Sequence, residues 1–139
     1  MRLCGDKSFI VELKTVLIAD DEESLRILVR TTLDEPAYRI LEASDGASAL
    51  QLARSERPDL LVLDWNMPKM TGPEVIKELR GDAETAEIPF ILLTAASQGS
   101  DRTTGLKLGA LAYLVKPFSP LQLLQTVEQI LAQSTSRAE

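Results

Sequence analysis

Short apolar runs rich in β-branched residues alternate along the chain with longer stretches in which apolar residues recur every three or four positions. The runs at 16–19 (VLIA), 39–42 (RILE), 60–63 (LLVL), 90–93 (FILL) and 112–115 (AYLV) predict strands. Between them, Leu25, Leu28, Val29 and Leu33 form one helical stripe, and Ala49, Leu50 and Ala53 form a second that Pro58 stops. Gly72 followed by Pro73 opens a third helix carrying Val75, Ile76 and Leu79, and Gly81 closes it. A fourth helical segment over 100–108 contains Thr103, Thr104 and Gly105; an interior glycine alone costs about 1 kcal/mol relative to alanine, so this helix should be soft. Ser119 and Pro120 make an N-cap and first-turn pair for the last helix, with Leu121, Leu124, Val127 and Leu131 on its inner face.

Five strands each followed by a helix give a (βα)5 pattern. Continuous apolar strands joined by crossover helices imply an α/β domain whose parallel sheet is covered on both faces. The expected architecture is a doubly wound, flavodoxin-like sheet in strand order 2-1-3-4-5. There is no internal repeat, low-complexity tract or interdomain linker, and 139 residues at 45% hydrophobic suit a single core. The expected organisation is an N-terminal extension over 1–14, one domain over 15–133 and a tail over 134–139.

Composition narrows the chemistry. The net charge is −6, from 21 acids and 15 bases in short alternations, so the chain carries no basic footprint for nucleic acid or acidic lipid. It contains no histidine, which removes imidazole bases and histidine-ligated metals from this polypeptide. The single cysteine, Cys4, allows no internal disulfide. The first fifteen residues lack the unbroken apolar core of a secretory signal, and no stretch approaches the ~20 apolar residues needed to span a bilayer. A cytoplasmic location is expected.

In a parallel sheet all carboxyl ends lie on one edge. Here the first strand runs into Asp20 and Asp21, the third into Asp64, the fourth into Thr94 and the fifth into Lys116; only the second, RILEA, delivers nothing obviously useful. In open α/β sheets a ligand sits beyond those ends where the strand order reverses, between strands one and three, which makes Asp20, Asp21 and Asp64 neighbours. Three close carboxylates raise one another's pKa unless a cation joins them. All-oxygen ligands with open water positions suit Mg²⁺, and Lys116 adds a second positive charge. Flanked by both, the Asp64 carboxylate is placed to attack a phosphoryl group.

These motifs together (the acid pair in LIADDE, the DWNMPKMTG signature, Thr94 followed by Ala95, and GALAYLVKPF) are similar to those of response regulator receiver domains of the chemotaxis regulator type, over roughly residues 15 to 132. The resemblance implies a two-component signalling protein in which Asp64 accepts phosphate from a phosphohistidine on a sensor histidine kinase or phosphotransfer protein. It implies that Asp21, Asp64 and the backbone carbonyl of Asn66 ligate Mg²⁺, with Asp20 acting largely through a coordinated water. Lys116 and Thr94 would contact the phosphoryl oxygens, the Lys116–Pro117 peptide would be cis, and Thr94 and Tyr113 would form the conformational switch. Phosphorylation would then shift the packing of the fourth helical segment, the fifth strand and the last helix, and so control a downstream protein partner.

The chain departs from the family at several points. Where many DNA-binding regulators carry acids after the Gly-Ala of this motif it reads Leu111 and Ala112, and QLLQTVEQILAQ holds no basic residue, which argues against a charge-paired dimer. A monomer or a phosphorylation-dependent dimer is expected, with no direct contact to nucleic acid or membrane. The reading is of a non-enzyme that catalyses only its own phosphorylation and dephosphorylation. An aspartate-nucleophile phosphatase would want a second acid where Asn66 stands, and a receiver-fold scaffold that is never phosphorylated would not need Asp20, Asp21, Asp64, Thr94 and Lys116 together.

Overall fold

The computed structural model describes residues 13–94, 107, 109–116 and 118–138, with side chains of the last helix through residue 132. All five expected strands form: β1 (Lys14–Ala19), β2 (Tyr38–Ala43), β3 (Leu60–Asp64), β4 (Phe90–Thr94) and β5 (Ala112–Val115). They pair in parallel in the order β2-β1-β3-β4-β5, the doubly wound order expected from the pattern. β3 and β4 each run one residue past their aliphatic stretch and so take in Asp64 and Thr94. Among the described residues four helices connect or flank the strands: α1 (Glu23–Thr32), α2 (Gly46–Glu56), α3 (Gly72–Arg80) and α4 (Pro120–Ala138). All but Lys107 of the helical segment expected over 100–108, and the cis peptide expected at Lys116–Pro117, lie outside the described residues.

Strand alternation divides the core in two. Val16, Ile18, Val62, Ile91 and Leu93 point to the side covered by α1 and α4, where Val29, Leu33, Leu123 and Val127 meet them. Leu17, Leu61, Leu63, Phe90 and Leu92 point to the side of α2 and α3, against Ala49, Ala53, Val75, Ile76 and Leu79. β3 and β4 are buried at every position, as central parallel strands must be, while β2 is half-buried, as befits an edge.

Two predicted helix faces need correction. Leu28 was expected inside α1, yet it is 39% exposed; Leu25, Val29 and Leu33, spaced by fours, take the inward line and leave Leu28 on its flank. In α4 the expected inner residue Leu121 is 61% exposed, and Leu123 is fully buried in its stead. Leu123, Val127, Ile130 and Leu131 follow an i, i+4, i+7, i+8 progression that fills one face, whereas Leu121 starts a different row.

Helix ends follow local chemistry. Thr71 and Glu74 form a reciprocal capping box at the start of α3, with Pro73 in the first turn. Asp45 caps α2 by accepting from the Ser48 amide at 2.7 Å. α2 ends at Arg57, which is left-handed (φ 47°) just before Pro58, whose ring disfavours a helical conformation in the preceding residue.

Candidate functional site

Register explains how side chains from distant segments meet. Ala19 pairs with Leu63, so Asp20 and Asp64 stand side by side at the next step and point to the same face. Asp64 pairs with Leu93, and Thr94 with Val115, so Lys116 follows on β5 with the parity of Leu114, again toward that face. The Lys116 ammonium consequently lies 2.9 Å from Asp20 Oδ2 and 3.2 Å from Asp64 Oδ1. Asp21, exposed at the mouth, completes a set of three carboxylates with one oxygen from each lying within 4.8 Å of one another. Asp20, Asp21, Asp64 and Lys116 therefore converge as the strand ends predicted.

Thr94, 2% exposed, sits one residue beyond the Leu93 that pairs with Asp64 and shares the face of Leu92. Tyr113 pairs with Leu92 on that same face, so Thr94 and Tyr113 are one diagonal step apart. The Tyr113 hydroxyl is buried with no hydrogen-bond partner among the described residues. Asn66 is exposed in the loop after β3. That loop is held from both ends: the Gly72 amide donates to the Trp65 carbonyl at 2.9 Å, and the Gly46 amide at the head of α2 donates to the Pro68 carbonyl at 3.2 Å. Both glycines are required by close backbone approach. A Cβ on Gly46 would come within 2.1 Å of the Met70 carbonyl oxygen, and one on Gly72 within 2.7 Å of the Asp64 carbonyl oxygen.

The electrostatics are those of a site with more negative than positive charge. Burial, then the adjacent Asp20 and Asp21, push the Asp64 carboxyl up to about 6, although Lys116 pulls the other way. Burial also raises Asp20, against the opposing pull of the Glu22 amide and Lys116. Burial would lower the Lys116 ammonium, but its hydrogen bond to Asp20 and the charges of Asp64 and Asp20 outweigh it and hold it high. One lysine cannot neutralise three acids, and a proton on Asp64 is the alternative to a cation. The donor set is all oxygen, two members are buried and one faces solvent, which fits a hard divalent ion that keeps some of its water. Beside Lys116 the surface opens into a cavity of about 440 Å³ lined by Glu22, Ser24, Leu25, Leu28 and Phe118.

Sequence reasoning missed three contributors. Glu22 reaches Lys116 at 3.4 Å. Arg26 donates to the Asp20 carbonyl, and Glu42 of β2 accepts from Arg26, so the second strand does serve the site. Of these, only Glu22 had a legible signal, as a further acid adjoining the pair.

A family model described as "Response regulator receiver domain" matches residues 16–128. The "Probable transcriptional regulator ycf27" of Porphyridium aerugineum is 45% identical over 116 residues, 84% of this chain and 47% of that protein. The "Alkaline phosphatase synthesis transcriptional regulatory protein PhoP" of Bacillus subtilis is 43% identical over 121 residues, 87% of this chain and 50% of that protein. The chain thus spans about half the length of the curated relatives it matches. The structure of the chemotaxis response regulator CheY4 of Vibrio cholerae aligns with a TM-score of 0.78 at 36% identity, covering 85% of this chain and 98% of that one. No helix among the described residues is long and apolar enough to cross a membrane. Since the family match takes in Asp20, Asp64, Thr94 and Lys116 together with the sheet that gathers them, the chain belongs to the response regulator receiver domains of two-component systems.

Proposed function

We propose that Asp64 is the phosphoacceptor of this receiver domain and that a partner phosphohistidine, on a sensor histidine kinase or phosphotransfer protein, is the donor. The observation that carries this reading is the convergence of Asp20, Asp21 and Asp64 with Lys116 bonded to both buried acids. An Asp64 carboxylate oxygen attacks phosphorus, the P–N bond to the donor imidazole breaks as the P–O bond forms, and the imidazole takes up a proton. Asp21, Asp64 and the Asn66 carbonyl would hold Mg²⁺, with Asp20 reaching it through water; when bound, the ion screens charge on the transferred oxygens. Lys116 turns from Asp20 to a phosphoryl oxygen, and Thr94 donates its hydroxyl to another. The cavity beside Lys116 leaves an approach for the donor.

Output is a population shift. Phosphorylation adds roughly −1.5 to −2 charge, and the packing that wins is the one with extra contacts to it. Thr94 moving toward the phosphoryl group draws on the neighbouring Tyr113, whose buried hydroxyl, without a hydrogen-bond partner among the described residues, makes the ring position sensitive to that move. The face of β5 and α4, together with segment 100–108, then presents an altered surface to a downstream protein. The domain is read as 15–133, flanked by 1–14 and 134–139, acting in the cytoplasm as a monomer or a phosphorylation-dependent dimer, without binding nucleic acid itself. It is not an enzyme toward other molecules.

Labelling with acetyl phosphate tests this. One equivalent incorporated only with Mg²⁺, and lost in Asp64→Asn, is expected. Continuous turnover of a phosphomonoester would instead identify an aspartate-nucleophile phosphatase, and label persisting in Asp64→Asn would show the acceptor to be elsewhere.

A further inference from the structure

The carboxylates of the site are described above; what holds their backbone has no assigned role. β1 pairs with both neighbours as far as Ala19, so the buried Asp20 stands one step beyond the ladder. Its carbonyl accepts from Nη1 of Arg26, in the first turn of α1, at 2.6 Å. Arg26 is aimed by Glu42, which accepts from Nε at 3.2 Å and is itself gripped by Arg30, and the Arg26 side chain is only 16% exposed. The Asp20 amide also donates to the Ala43 carbonyl at 3.1 Å, so Arg26 adds a second tie, on the carbonyl side of this backbone; the side-chain contacts of Asp20 are different in kind. Its carboxylate oxygens accept from the Glu22 amide at 2.9 Å and from Lys116 at 2.9 Å. Those are the same oxygens that a cation or its water must recruit, so they rearrange when the site is loaded. The bond from Arg26 falls on the backbone and competes with nothing.

We infer that Arg26, braced by Glu42 across the sheet edge, is a positioning residue of the metal site: it fixes the turn that presents Asp20 and Asp21 to a divalent cation. This rests on the metal reading proposed above. A charged donor to a buried carbonyl is a strong tie, and without it the carbonyl is left unsatisfied and the turn gains freedom where ligand spacing matters. Groups that orient metal ligands are typically worth about 10–100-fold in affinity, and one acting through the backbone belongs at the lower end.

Trp65, the sole tryptophan, adjoins Asp64 and reports on cation binding through its fluorescence. The full chain is titrated with MgCl2, checked by calorimetry, as wild type, Arg26→Ala, Arg26→Lys, Glu42→Gln and Arg39→Ala, with urea unfolding in parallel. Arg39, on the same edge strand as Glu42, forms a surface pair with Glu56 of α2 and serves as the control. Arg26→Ala should raise the Mg²⁺ Kd about tenfold and Glu42→Gln about threefold, with Arg26→Lys regaining most of the loss; Arg39→Ala should leave Kd unchanged. If Arg26→Ala lowers the urea midpoint but binds Mg²⁺ like wild type, the residue is merely structural and the inference fails. Should Arg26→Ala not fold, an unchanged Kd in Glu42→Gln overturns it instead. A wild type with no saturable response overturns the metal reading and this one with it.

Discussion

Asp45 and Asp64 are the same residue type at the ends of neighbouring elements, and their surroundings drive them in opposite directions. Asp45 caps α2: the Ser48 amide, then the Ser48 hydroxyl and Lys69, hold its carboxyl below the ordinary range. Asp64 ends β3 buried beside Asp20, with exposed Asp21 at the mouth, and burial and these acids push it up to about 6. The capping acid is satisfied by donors of its own turn and stabilises the fold. The strand-end acid shares a single lysine with a neighbouring buried acid, and until a further cation arrives the fold tolerates the excess negative charge at a cost. That contrast separates an acid that serves structure from one that is available for chemistry.

The comparison can be broken at either end, and the largest effect belongs to the site. Asp64→Asn should abolish acetyl phosphate labelling and weaken Mg²⁺ by more than about 100-fold, since ligating groups outweigh the groups that orient them; Asp45→Asn should leave Mg²⁺ affinity within about twofold of wild type by the same calorimetric titration.

Next in size is stability without metal. Removing a crowded, raised carboxylate relieves the fold, so Asp64→Asn should stabilise the metal-free protein by on the order of 1–3 kcal/mol in urea unfolding. A destabilised variant would mean that the ion pair with Lys116 outweighs the crowding.

The pH dependence follows with opposite signs. Asp64 has a folded pKa of about 6, above the model-peptide value of 3.8, so the native state binds the proton more tightly. Metal-free stability should therefore rise as pH falls from 7 toward 4, and saturating Mg²⁺ or Asp64→Asn should flatten that rise. The Asp45 contribution runs the other way. It is present above the unfolded value of 3.8 and is lost as pH falls through the lower folded pKa, so Asp45→Asn should flatten only the acid limb below about 4. Unfolding curves between pH 3 and 7 separate the two.

The smallest effect is expected for a pair with neither role. Arg57 and Glu84 meet at 2.6 Å with both side chains more than half exposed, and Glu84→Gln should change stability by less than about 0.5 kcal/mol.

How much of this was legible depended on distance along the chain. The strands announce themselves because each is a short apolar run, and Asp20, Asp64 and Lys116 are visible as the polar residues that end such runs. The topology rule then places them together. Thr71 and Glu74 also carry a local capping signature, four letters long, that was open to reading. What sequence could not supply are matches between remote segments. The contact of Arg26 with Glu42 and the seat of Gly46 against the Met70 carbonyl depend on how α1 lies over β2 and how the loop after β3 folds onto α2. The choice of Leu123 over Leu121 was lost because the last helix offers two overlapping apolar rows, and only its rotation on the sheet decides between them.

Lys116 meets Asp20 across 96 residues of chain. On the ribosome Asp20 and Asp64, the two buried acids that this lysine joins, are made long before it, so a nascent chain carries the acids of the pocket without their built-in counter-charge. The counter-charge thus arrives with the last of this sheet's five strands to be synthesised, and a fragment released before β5 docks lacks the lysine that joins the buried acids.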